Sequence, residues 1–236
     1  MKKNVLIIGA NSKIAYELSK ILALNNYNLF LLSKNYLELK KKSNYLKKIS
    51  KSKIEFYKFD ITHSFSFNEI LKKFSKAEIL ILASGFLDVK NRNNIKTTEI
   101  NYTGPKNFIE KLLITNNNFE EIICFTSVSG DRVDANYNEY SNSKKRLSEF
   151  ILKNKSRFKK KNIYLKDLKL GYVNTNMTNH IFLQNIVCSP PQKVARYIYN
   201  NIALKNNNVI YYPKIWIQIL KIYNFVKRIQ LMFKYF

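Results

Sequence analysis

The residues of this 236-residue chain best suited to chemistry lie between positions 127 and 144. Tyr140 and Lys144 stand four apart in Glu139-Tyr140-Ser141-Asn142-Ser143-Lys144, so on a helix they share one face. Ser127 precedes the tyrosine by thirteen residues and ends the run Phe125-Thr126-Ser127. A phenol held within reach of a substrate oxygen can deliver a proton to it. Free tyrosine titrates near 10, and a neighbouring ammonium lowers that value; an approach to neutrality needs roughly two or three units. Lys144 is placed to do this. The matching reaction is reduction of a carbonyl, with hydride delivered to carbon and this proton to oxygen. In a chain with 16 tyrosines and 41 lysines and arginines, a Tyr-x-x-x-Lys alone reads more readily as a solvated helix face than as a site. Its weight comes from its surroundings.

Those side chains need a scaffold, and the hydrophobic pattern describes one. Val5-Leu6-Ile7-Ile8 is a short apolar run ended by Gly9, as expected of a strand buried on both faces of a parallel sheet. Over residues 12 to 24, Ile14, Leu18, Ile21 and Leu22 recur at helical intervals, with Ser12 available as a cap. The alternation repeats, with strands near 28 to 33, 53 to 57, 78 to 83, 121 to 126, 163 to 169 and 208 to 212. The expected fold is α/β: a single Rossmann-type domain over residues 1–212, with a doubly wound parallel sheet of about seven strands. Residues 213–236 break the rhythm and are expected to form a basic amphipathic C-terminal helix.

In such a fold the first strand-to-helix turn receives a dinucleotide pyrophosphate on backbone N–H groups and a helix N-terminus. Here it reads Gly9-Ala10-Asn11-Ser12-Lys13-Ile14-Ala15, with only the first of three expected glycines. A lone glycine after a strand is more often an ordinary turn. The end of the second strand distinguishes the two nicotinamide cofactors: an acidic residue bonds a ribose 2′-hydroxyl, a basic one a 2′-phosphate. The chain has Leu32-Ser33-Lys34-Asn35 there, without a carboxylate, and Lys34 with Lys13 could form a phosphate-binding pair. This favours NADP(H) over NAD(H); the alternative is that both lysines simply face solvent.

Phe125-Thr126-Ser127-Val128-Ser129-Gly130 together with the Tyr140–Lys144 spacing resembles the catalytic signature of the short-chain dehydrogenase/reductase family. Further positions match in order: Asp60-Ile61 after the third strand, Asn101 before the fifth, and Gly171-Tyr172-Val173-Asn174-Thr175 after the sixth. The resemblance implies that Lys144 also bonds the nicotinamide ribose, that Ser127 holds and polarises the substrate oxygen, and that Asn101 anchors a proton-relay water. It also implies cofactor contacts from Gly9, Asn11, Ser12, Lys13 and Ile14, from Ser33 and Lys34, from Asp60 and Ile61, and from Val173 and Thr175. The chain departs from the family in Lys13 and Ala15, which replace glycines, and in Leu170, which replaces a proline. Ala83-Ser84-Gly85, expected at the cofactor, stands where Asn-Ala-Gly is usual. The eroded glycine loop leaves a second reading open, a nucleotide-binding sensor or scaffold of the same fold with weak or lost catalysis.

Composition bounds the partners. Apolar residues make up 46% and charged residues 24%, as in a globular protein. A net charge of +25 points to nucleic acid, an anionic membrane surface or acidic substrates, or reflects lysines scattered by an AT-biased coding sequence. Without a recognition motif, nucleic acid is not expected. Cys124 and Cys188 match no metal or CxxC spacing and read as free thiols of a reducing compartment. His63 and His180 lack partners at ligand spacing, so no metal is expected; His63 reads as a loop residue and His180 as part of a substrate lid over residues 176 to 189. The N-terminal apolar run is too short for a signal peptide, and a cytoplasmic location is expected.

The tail after Pro213 carries no acidic residue. On a helix Trp216, Ile219, Leu220, Tyr223 and Val226 share one face, and Lys214, Gln218, Lys221 and Arg228 the other. Such a helix can lie in an anionic membrane interface on the inner face of the cytoplasmic membrane, or pack on the domain or on another subunit of a homo-oligomer. The Tyr-Tyr-Pro strand end followed by this helix is similar to reductases of decaprenylphosphoryl-ribose epimerisation. That similarity implies a small-molecule or lipid-linked carbonyl substrate, a keto-sugar of cell-envelope polysaccharide biosynthesis.

Overall fold

The computed structural model describes residues 3–88, 93–115, 117–132, 134, 138–179, 188–202, 204 and 209–232. The expected residues 180 to 187 of the lid, with His180, and the last four residues of the tail lie outside these. Seven strands form one parallel sheet: β1 (Asn4–Ile8), β2 (Asn28–Ser33), β3 (Ile54–Lys58), β4 (Ile79–Leu82), β5 (Glu121–Ser127), β6 (Tyr164–Leu170) and β7 (Val209–Tyr212), in the order β3-β2-β1-β4-β5-β6-β7. The doubly wound α/β fold expected from the sequence is the fold observed, with strand limits within one residue or so of the apolar runs.

The alternation of strand side chains divides the core in two. Val5 and Ile7 face α1 (Lys13–Leu24) and α2 (Tyr36–Ile49), while Leu6 and Ile8 face the opposite layer with α3 (Phe67–Lys73). That second layer continues through α4 (Asn94–Thr98), a π-helical turn at Glu99–Thr103, and α5 (Gly104–Ile114) to the long α6 (Glu139–Lys159). The first layer is completed by α7 (Pro191–Asn201), whose Val194, Ala195 and Ile198 pack with α1. The longer helices of the two layers each bury one stripe and the sheet is covered on both faces, which is why most of its strands read as continuous apolar runs.

The chain crosses from one side of β1 to the other between β3 and β4. Parallel sheets of this kind open a crevice beyond the carboxyl ends of the strands at that reversal. Gly9 and the Ala83–Gly85 segment follow β1 and β4 there, and Ser127 ends β5 beside them. The last helix, α8 (Trp216–Met232), follows β7 at the far edge. Among the described residues no helix is long and apolar enough to cross a membrane.

Candidate active site

At the crevice Gly9 adopts φ +82°, and a Cβ there would fall 2.6 Å from the Ser84 nitrogen. The backbone therefore requires glycine at this one loop position, and the turns after β1 and β4 touch. Ser12 caps α1, its hydroxyl accepting from the Ala15 N–H at 3.1 Å. Asn11 Nδ2 donates to the Asn35 carbonyl at 2.8 Å, while its Oδ1 and the Ser84 Oγ are buried without a hydrogen-bond partner among the described residues. Buried polar atoms are nearly always paired. The Ser84 hydroxyl can donate to a ligand and the Asn11 oxygen can accept from a ligand hydroxyl, beside a helix N-terminus that favours an anion, so the residues present suit a dinucleotide with its phosphates and ribose hydroxyls. Ile14, Ile61 and Ala83 are buried around them, and Ser33 closes β2.

The expected Lys13–Lys34 pair is not what the structure shows. Lys13 is exposed, and Lys34 bonds the Asp60 carboxylate at 2.7 Å. The reason is register: β2 and β3 pair Ser33 with Lys58, which carries the turn at Asp60 up to Lys34. Burial pushes the Asp60 carboxyl up, but Lys34 and the Thr62 N–H and hydroxyl more than offset this and hold it below the ordinary value. Lys34, Asp60, His63 and Phe65 line a cavity of about 420 Å³, with the His63 ring stacked on Phe65 at 5.3 Å. His63 thus belongs to a cavity wall. Lys42 of α2, which sequence reading missed, donates to the Asn11 carbonyl at 2.7 Å and to Glu38 at 2.6 Å. Its Glu38–Lys42 spacing is a helix-surface signal, and only the tertiary fold aims it at the loop.

Ser127 and Tyr140 lie side by side, and Lys144 reaches the same crevice, its Nζ 3.5 Å from the Ser84 carbonyl. The Tyr140 phenol stands close enough to the Ser127 side chain for that hydroxyl to favour its ionised form. Ser127 also caps the following turn, accepting from the Ser129 N–H at 3.2 Å, with its Oγ 2.9 Å from the Ser129 hydroxyl. Lys144 is 3% exposed and donates to the Phe125 carbonyl at 3.0 Å. Burial depresses its ammonium to about 8. The lowering of Tyr140 by Lys144 is not seen: burial raises the phenol, and only Ser127 opposes it. The lysine is turned toward the β5 backbone in this state, and desolvation is the larger effect on a phenol so placed.

Asn101 is fully buried in the π-helical turn. Its Oδ1 accepts from the Phe86 N–H at 3.0 Å and its Nδ2 donates to the Phe86 carbonyl at 2.6 Å, gripping the segment after β4. Turns of this kind are often found at functional sites. Val173 is buried, and Thr175 caps the short turn Asn176–Thr178 reciprocally with Thr178. Both lie on the strand-end segment that follows β6.

The C-terminal helix reaches this site from outside. The Trp216 indole stands directly on Gly171, where a Cβ would fall 1.9 Å from its nitrogen, and meets Tyr172 edge-on at 5.4 Å. Asn224 donates to the Asp131 carbonyl at 2.9 Å, and Tyr223 to the Asp134 carboxylate at 2.7 Å. Asp131 and Asp134 belong to the segment after Ser127, so α8 clamps the loops that follow β5 and β6. The face expected to be shared is therefore divided: Leu220 is buried and Trp216 and Tyr223 are partly buried, whereas Ile219 and Val226 are exposed.

A family model described as short chain dehydrogenase matches residues 3–185. Comparison with curated protein sequences returns no match. Among solved structures, a short-chain dehydrogenase from Sphingobium yanoikuyae in complex with NADPH is 16% identical, with TM-score 0.76, over 98% of this chain and 95% of that one. An alcohol dehydrogenase from the archaeon Thermococcus sibiricus complexed with 5-hydroxy-NADP is 17% identical, with TM-score 0.72, over 89% and 95%. The 3-oxoacyl-[acyl-carrier protein] reductase from Brucella melitensis, in complex with NAD, is 17% identical, with TM-score 0.73, over 89% and 95%.

Proposed function

The chain belongs to the short-chain dehydrogenase family, and on that footing we propose that it is an NADPH-dependent reductase of a keto group on a sugar or sugar-lipid intermediate of cell-envelope polysaccharide biosynthesis. The observation that carries the reading is Tyr140 beside Ser127, with Lys144 buried against the Phe125 and Ser84 carbonyls at the same glycine-tight crevice at the sheet reversal. Gly9, Asn11, Ser12 and Ser84 would hold the cofactor's pyrophosphate end, and Ser33, Lys34, Asp60 and Ile61 its adenosine end. When bound, the nicotinamide supplies hydride to the carbonyl carbon.

The chain's own residues handle the oxygen and the proton. The Ser127 hydroxyl orients the carbonyl oxygen against Tyr140, and the phenol gives up its proton as negative charge develops there. Lys144, one helical turn beyond Tyr140, would have to leave the Phe125 carbonyl and turn toward the phenol to supply the positive charge that makes the phenolate tolerable. Asn101 keeps the Phe86 segment in place at the mouth of the site. NADPH is favoured over NADH because Lys34 stands at the end of β2 with a largely exposed side chain, free to exchange Asp60 for a phosphate.

The lipid-linked part of the reading rests on the outer side of α8. Ile222 and Phe225 are 66% and 67% exposed, and Ile215, Ile219, Val226 and Ile229 are exposed alongside them. Exposed Lys214, Lys221 and Arg228 flank that stripe, and the chain carries +25 overall. An apolar stripe bordered by cations suits the surface of an anionic bilayer, where the protein would work peripherally on the cytoplasmic side.

Purified protein should oxidise NADPH with a keto-sugar, and Tyr140→Phe should cut the rate by about 10²–10⁴-fold. An undiminished mutant rate overturns the mechanism. In the native protein kcat/KM should fall as the pH rises through about 8, where Lys144 loses its charge. For docking, Ile222→Asp with Phe225→Asp should abolish co-sedimentation with phosphatidylglycerol vesicles while leaving the inner face of α8 intact. Equal pelleting of the variant removes the membrane from the reading.

A further inference from the structure

Strand β6 reads Tyr164-Leu165-Lys166-Asp167-Leu168-Lys169-Leu170, and its central carboxylate is wholly buried on the face toward α6. Asp167 accepts from the Thr126 hydroxyl of β5 and, at 2.5 Å, from the Ser148 hydroxyl of α6. Ser148 lies one helical turn beyond Lys144 on the same face. Thr126 follows Phe125, whose carbonyl accepts the Lys144 ammonium at 3.0 Å. Asp167 therefore ties together the two elements that hold the lysine. We propose that Asp167 is a positioning residue for Lys144: it locks β5 to α6 where they grip the lysine and supplies the buried negative charge that keeps its ammonium protonated inside the fold.

The charges around the pair leave this role to Asp167. Lys144 is faced by Cys124 from β5 and by Asp167 from β6. Burial pushes the Cys124 thiol far up, so it is neutral throughout the working range and cannot act as the anion. Asp167 itself is faced by Lys169, 3.7 Å away on β6, and by Asp131 on the turn after β5, which Lys169 and Tyr211 of β7 both bond. Burial raises the Asp167 carboxyl, while Lys169, Ser148 and Thr126 oppose that rise. Both its oxygens accept from hydroxyls, an arrangement that holds a carboxylate rather than an acid.

The test follows the lysine itself, so it does not depend on knowing the substrate. Protein carrying ¹³Cε-lysine is titrated by NMR, with the Lys144 resonance assigned by its loss in Lys144→Arg. In Asp167→Asn, which keeps the shape and removes the charge, the Lys144 midpoint should fall by about one pH unit or more. A purely structural role leaves that midpoint unmoved, and an unmoved midpoint in a cooperatively melting Asp167→Asn protein overturns the proposal. Should that variant fail to fold, the wild-type Asp167 ¹³Cγ shift decides: an ionised carboxylate between pH 6 and 8 supports the role, and a protonated one at pH 8 overturns it. Loss of NADPH turnover with a normal Lys144 titration would count against Asp167 while leaving the proposed reaction standing.

Discussion

The two halves of the sheet are built on opposite principles. In β1, β2 and β4 the buried stretches Val5–Ile8, Leu29–Leu32 and Ile79–Leu82 are apolar throughout; among the described residues the buried side-chain atoms without a partner are the Ser43 Oγ inside α2 and, beyond the strand ends, Asn11 Oδ1 and Ser84 Oγ. In β6 three charges, Lys166, Asp167 and Lys169, are at most 5% exposed, and each is met by a partner. Burying an ion costs several kcal/mol unless its pairing is complete. The half proposed to hold the cofactor thus leaves polar atoms for a ligand to satisfy, whereas the half proposed to carry catalysis satisfies its charges internally. A site that must hold a lysine ready in a dry place needs counter-charges that do not leave with the substrate.

The largest effect is expected where a buried charge is stripped of its partner. Lys166 is fully buried and bonds Glu121 at 2.6 Å and the Asn201 carbonyl at 2.7 Å, on the α7 face of the sheet away from the catalytic lysine. Glu121→Gln should cost about 3–5 kcal/mol in urea unfolding. The paired change Glu121→Leu with Lys166→Met should recover most of that loss, because it removes both desolvation costs. If the single substitution is as mild as the double, the claim that β6 depends on internal pairing fails.

A smaller but sharper effect belongs to the cofactor half. Gly9→Ala places a methyl 2.6 Å from the Ser84 backbone at φ +82°, so strain of about 1–3 kcal/mol should appear in the melt. Because the strain falls on the turn proposed to face the pyrophosphate, NADPH affinity should drop more than stability alone explains. A stable variant with unaltered fluorescence titration by NADPH would mean that the crevice is not the cofactor site.

Much of this was legible in the sequence, and the remainder has a common cause. The strands and α1 could be read because burial on two faces, or on one stripe, leaves a period along the chain, and Ser127, Tyr140 and Lys144 because their spacing spans a single strand-to-helix unit. What could not be read depends on neighbours across the sheet. Lys34 was matched to Lys13 along the chain, but the β2–β3 register brings Asp60 to it. The β6 run was recognised as a strand, yet its charges acquired meaning only from Thr126 and Ser148. In the tail, helical periodicity grouped Trp216 with Ile219 and Val226; the inner face is narrower because Gly171 and the Asp131–Asp134 segment occupy only part of the helix circumference.

The smallest effect expected is at the Lys34–Asp60 pair, which is also where the comparison between halves is weakest, since here the cofactor half does hold an ion pair. It differs from those in β6 because the lysine side chain is 73% exposed, so solvent screens it and its share of stability is slight. Asp60 titrates below its ordinary value in the fold. Its contribution is therefore fully present above the unfolded carboxyl value, near 3.8, and is lost as the pH falls through the lower folded value. Asp60→Asn should flatten the acid end of the stability curve and leave neutral pH almost untouched. Ligand binding is the more telling readout. If Lys34 exchanges Asp60 for a 2′-phosphate, Lys34→Ala should weaken NADPH by roughly tenfold or more while hardly moving NADH. Equal loss for both cofactors would make Lys34 a partner of Asp60 alone and would return the choice between NADPH and NADH to other residues of the crevice.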